Sequence, residues 1–152
     1  MNSFAKSVSR RRFLRTALLG SGMLLAACSN TPTETGPVMK ITYPVQGAHV
    51  DGTKASIQVE VKNWKLVNAN QDVHDGEGHI HFFIDTPANS VAVGQVIPTD
   101  KPKQYVHVGK PPLVTRMLEL TPGVHTVTVV MGNSHHEALD NPKPVSVTFV
   151  VG

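Results

Sequence analysis

The residues in this chain best suited to chemistry are its eight histidines: His49, His74, His79, His81, His107, His125, His135 and His136. Imidazole is the commonest metal ligand and ordinarily titrates near neutrality. Such a set points to metal binding, pH sensing or hydrogen-bonded scaffold. The most informative segment is Gly78-His79-Ile80-His81-Phe82-Phe83-Ile84-Asp85. Read as a strand, it turns Ile80, Phe82 and Ile84 to one face, the expected core side, and His79, His81, Phe83 and Asp85 to the other. Two histidines two apart on a strand project together, about 7 Å apart at the backbone, and can grip one ion. His107, in Tyr105-Val-His-Val-Gly-Lys110, is expected to line the same outer face. The segment 132–144 adds His135, His136, Glu137 and Asp140. Imidazole donors suit copper and zinc. The candidate metal ligands are therefore His79, His81, His107, His135 and His136, for copper or zinc.

His125 reads differently. It alternates with Val127, Val129 and Met131, the core side of its strand, so it should face away from the His79/His81 pair if both strands share a sheet. In sandwich domains that position often holds a tyrosine that ties a corner to the backbone, and a corner hydrogen bond is expected of His125. Met39, Met117 and Met131 could serve cuprous copper, but Met131 falls in the core register, and such methionines commonly pack.

The elements that must position these side chains are strands. Segments 39–44, 55–62, 79–85, 91–97, 104–108, 114–120, 124–131 and 145–151 are rich in Val, Ile, Thr and Phe and are punctuated by Gly, Pro, Asn and Asp. No stretch shows a helical period with caps. Seven or eight short strands between residues 38 and 152 imply one all-β antiparallel sandwich.

Ahead of that domain, Lys6, Arg10, Arg11, Arg12 and Arg15 precede an apolar run, 17–27, too short to span a membrane. The run closes on Leu25-Ala26-Ala27-Cys28, which resembles the lipobox of bacterial lipoproteins. Ser9-Arg10-Arg11-Arg12-Phe13-Leu14-Arg15 resembles a twin-arginine export signal. These resemblances imply a removed signal peptide (1–27), lipidation of Cys28, a tether (28–37) and a domain (38–152) held at the extracytoplasmic side of a membrane. Five of the 14 Lys and Arg residues and none of the 11 acidic ones precede Cys28, which leaves the mature chain a net charge of −2. Nucleic-acid binding then has no electrostatic footprint. Cys28 is the lone cysteine, so no intrachain disulfide is available.

Two segments resemble bacterial immunoglobulin-like domains: Ile41-Thr-Tyr-Pro-Val-Gln-Gly-Ala-His-Val50 and Leu118-Glu-Leu-Thr-Pro-Gly-Val-His-Thr-Val-Thr-Val-Val130. The wider pattern joins Gly78-His-x-His, Tyr105-x-His-x-Gly-Lys, Pro122-Gly-x-His and Gly132-Asn-x-His-His. It is similar to an uncharacterised family of exported bacterial domains over residues 77–152. That likeness implies a fold and no chemistry. The leading expectation is an envelope-tethered domain that binds copper or zinc. The alternative is a structural or protein-interaction module whose histidines are scaffold. An enzyme is the weakest reading: no HExxH, nucleophile elbow or phosphate-binding glycine loop is present.

Overall fold

The computed structural model describes residues 35–68, 72, 74–110 and 114–152. The leader, Cys28 and most of the tether expected at 28–37 lie outside the described residues. Among the described residues nine strands form: β1 (Val38–Tyr43), β2 (His49–Val50), β3 (Lys54–Lys62), β4 (Lys65–Leu66), β5 (Glu77–Ile84), β6 (Tyr105–Val108), β7 (Thr115–Glu119), β8 (Gly123–Gly132) and β9 (Val145–Val151). One sheet has the order β1-β3-β7. The other has the order β2-β9-β8-β5-β4, with β6 also pairing β5. Only the two shortest pairings, β2 with β9 and β4 with β5, are parallel.

The chain is an immunoglobulin-like antiparallel β-sandwich. Alternation drives it. Ile57, Val59 and Leu118 of the first sheet pack against Ile80, Phe82, Val127, Val129 and Phe149 of the second in one buried cluster. Each fully buried side chain of this size contributes about 1.5–3 kcal/mol of transfer free energy. Ile80, Phe82, Ile84, Val127 and Val129 all lie inward, as the period-two pattern requires.

The opposite face of the second sheet is covered as well. Phe83 and Val130 form a smaller apolar cluster with Val91, Ile97 and Ala138. His79 and His81, expected to project from an outer face, are therefore buried at 0% and 1% exposure. The cover comes from two segments that hydrogen-bond to each other. Gly94 N donates to Ala138 O, Ala138 N to Gln95 O, and Ile97 N to His136 O.

Segment 91–97, expected as a strand, is a covering loop instead. Val96 makes only an isolated bridge with Glu137, and Gly94 turns the chain at φ +80°. Val91 and Ile97 are buried while Val93 and Val96 are largely exposed. The apolar residues act as two anchors for a covering loop, and their spacing mimics a strand.

Candidate metal centre

Three of the candidate ligands sit on adjacent strands of one sheet. On β5, His79 pairs with Gly132 of β8, and His81 pairs with Val130 of β8. On its other edge β5 pairs with β6, which sets His81 directly opposite His107. Cross-strand partners project to the same face, so the pleat alone brings these three imidazoles together.

The fourth arrives from the β8–β9 loop, which Asn133 organises. Asn133 Oδ1 accepts from the backbone N–H groups of His135 and Glu137, at 2.9 and 3.0 Å. Asn133 Nδ2 donates to Glu137 Oε2 at 2.8 Å. The backbone N–H of His136 donates to Asn133 O at 2.9 Å. His136 itself has φ +62°. A left-handed non-glycine residue costs of order 1 kcal/mol and persists where its surroundings over-determine it. Here the result is a ring laid over the His79/His81 pair.

The four rings stand in a near-tetrahedral array. Centroid separations are 4.9 Å for His79–His81, 4.7 Å for His79–His107 and 4.8 Å for His79–His136. The remaining three are 5.0 Å for His81–His107, 5.7 Å for His81–His136 and 4.8 Å for His107–His136. Four imidazoles on a tetrahedral ion, with metal–nitrogen bonds of about 2.0–2.1 Å, would hold their centroids about 5.2 Å apart. One nitrogen from each ring lies within 4.8 Å of the others, and the Nε2 atoms of His79 and His81 are 3.0 Å apart. Such an ion requires nitrogens about 3.3 Å apart, so sub-ångström to ångström ring movements complete the set.

The electrostatics favour the ligating form. Burial pushes the His79 imidazole down to about 4, with the charges of His107 and His136 adding to the effect. Burial and its three histidine neighbours push His81 down to about 2. His107 is lowered by burial, then by His136 and Arg116. Neutral imidazole is the form that binds metal without first releasing a proton. The buried Nδ1 of His79 and Nε2 of His107 have no hydrogen-bond partner among the described residues. Leaving a buried polar group unpaired costs about 1–3 kcal/mol. The residues present therefore fit a transition-metal ion: neutral nitrogen donors, tetrahedral disposition, and an orphaned buried nitrogen.

His135 does not join the cluster. It is exposed and lines a separate cavity with Trp64, His74 and Asp140. The left-handed turn at His136 sends the two neighbouring side chains to different sides of the loop. His125 lies on the core side. Its Nδ1 bonds Asp85 Oδ2 and its Nε2 bonds the Thr121 carbonyl, each at 2.8 Å. Asp85 also accepts from the Thr126 N–H at 2.8 Å, which fastens the start of β8 to the end of β5. Sequence reasoning missed Asn133 and Gly132, although Gly-Asn after a strand is a turn signal whose asparagine can cap the following amides.

Residues 57–150 match the family described as a domain of unknown function, DUF4399. The chain belongs to the DUF4399 family. All four clustered histidines lie inside the matched span. No curated protein matches this DUF4399 chain. Among solved structures it is similar to fibronectin(III)-like modules of CbhA from Clostridium thermocellum, with TM-score 0.43 and 16% identity over 75% of this chain and 95% of that one. It is also similar to an engineered protein, with TM-score 0.43 and 15% identity over 76% of this chain; the match spans 20% of that protein.

Proposed function

We propose that this DUF4399 chain is a membrane-tethered envelope domain that binds one copper or zinc ion through His79, His81, His107 and His136. The observation that carries the reading is the convergence of four imidazoles from three separate chain segments, two of them buried. Scaffold histidines are ordinarily paired with hydrogen-bond partners, whereas Nε2 of His107 is buried without one among the described residues. The bound ion would fill the set with four protein ligands. A closed set holds an ion, while catalytic sites keep a position open. That favours a metal-holding module over an enzyme.

The tether rests on the sequence of the leader. The lipobox-like Leu25-Ala26-Ala27-Cys28 supports acylation of Cys28, and the arginine-rich segment supports export. X-ray absorption on zinc- or copper-loaded protein tests the site. Four nitrogen scatterers near 2.0–2.1 Å are expected, and a first shell dominated by water oxygen would refute it. Fractionation tests the tether: wild type should stay with the membrane, and Cys28→Ala should be released or remain an unprocessed precursor.

A further inference from the structure

We infer that the four-histidine site is built for a monovalent ion, cuprous copper, in preference to zinc or cupric copper. The inference rests on the metal-binding reading above and narrows it.

Charge balance is the first argument. The donor set is four imidazoles, each an uncharged ligand once it binds, and no carboxylate or thiolate joins it among the described residues. The acid nearest in sequence, Glu137, gives its carboxylate to Asn133. The charged side chain felt at His107 is a cation, Arg116. A divalent ion would thus keep its full charge beside rings that are 0% and 1% exposed. The cost of desolvating an ion grows with the square of its charge, so a dication bears roughly four times the penalty of a monocation of similar size.

The outer shell gives the second argument. A histidine on a divalent ion commonly donates its other ring N–H to a carboxylate or carbonyl, which raises its basicity. With Nε2 of His79 turned toward His81, its Nδ1 is buried with no acceptor among the described residues. The ring is a weaker base than a divalent ion recruits.

Geometry is the third. Cupric copper favours tetragonal arrangements. The six centroid separations, 4.7 to 5.7 Å, describe a tetrahedron. Flattening it would move the rings from positions set by the β5–β6 pairing that opposes His81 and His107 and by the Asn133 bonds that order the loop carrying His136. Zinc tolerates the shape but carries the larger desolvation cost of a dication, and cupric copper meets that cost and the wrong geometry together.

The test uses the mature protein in mild detergent. It is loaded anaerobically with cuprous copper delivered from a chromophoric chelator, challenged with a tenfold excess of zinc, then exposed to air. One copper per chain should remain through the zinc challenge, and the sample should stay silent in electron paramagnetic resonance after aeration. His79→Ala combined with His81→Ala should lose the copper. Displacement by zinc, or a tetragonal cupric signal appearing within minutes, overturns the cuprous preference while leaving a metal site in place. Failure to bind either cuprous copper or zinc overturns the metal-binding reading and this inference with it.

Discussion

Gly132 lies directly against the His81 imidazole. A Cβ placed on Gly132 would sit 3.0 Å from both Cδ2 and Nε2 of His81, and 3.7 Å from Nε2 of His79. Gly132 is not among the residues with positive φ, so the glycine serves the rings and not a turn. Backbone and imidazole share a space that no side chain can enter without displacing a donor nitrogen.

Gly132→Ala should therefore push His81 by a few tenths of an ångström without straining the backbone. Metal affinity should fall about tenfold, equivalent to ~1.4 kcal/mol, while folding stability falls by about 1 kcal/mol. Titration with zinc and thermal melting, run on the same preparation, separate the two effects. Unchanged affinity would show that the His81 ring is not a ligand.

His135 and His136 are adjacent in sequence and opposite in role. His136→Ala should weaken zinc or copper binding by more than the roughly 10–100-fold that loss of an outer-shell partner costs, since it removes one of four donors. His135→Ala should leave affinity unchanged, because its ring lines the cavity on the other side of the loop. Competition titrations with a metal indicator check both. Equal losses in the two variants would mean that the loop does not hold the arrangement described.

Metal-free protein should lose stability in mild acid. His79 and His81 have native pKa values depressed to about 4 and about 2, below the value near 6.5 that they take when unfolded. The unfolded chain then binds protons that the native state refuses. Stability is fully present above about 6.5 and declines as pH falls toward about 4. Replacing both residues with glutamine should flatten that acid limb. Urea midpoints measured between pH 7 and pH 4.5 provide the check.

His125 should act in the opposite direction. Burial alone would lower its pKa, but the hydrogen bonds to Asp85 and to the Thr121 carbonyl raise it overall. Both partners accept, so the protonated ring satisfies both. A raised native pKa contributes stability that is complete below about 6.5 and is lost as pH rises through the native value. Above about pH 7.5 the His79 and His81 rings are neutral in both states, since their unfolded value is near 6.5 and their native values lie lower, so the upper part of the alkaline limb isolates this corner. Asp85→Asn should lower stability at pH 6 and abolish the decline between pH 6.5 and 8.5, read from denaturant midpoints.

Much of the sandwich was legible because strand alternation is set by backbone geometry. The order Ile80-His81-Phe82-Phe83-Ile84 could place its isoleucines and Phe82 inward in only one register. The same alternation put His79, His81 and His107 on one face. What the sequence did not show was the cover over that face. Val91 and Ile97 anchor a loop, and apolar spacing alone does not separate loop anchors from a strand. The choice of His136 over His135 depends on one left-handed residue, fixed by amides that Asn133 caps, and neither histidine carries that information itself. Strands β2 and β4, at two residues each, are too short to leave a period.

Metal stoichiometry tests the central claim most directly. The domain without its leader, expressed without a polyhistidine tag, is purified, dialysed against limiting free zinc or cuprous copper, and assayed for bound metal. The wild type should hold close to one ion per chain. The His79→Ala, His81→Ala double variant should hold none while keeping a β-sheet circular dichroism spectrum. A wild type that binds no metal, paired with a double variant that unfolds, would contradict the claim and make these histidines scaffold.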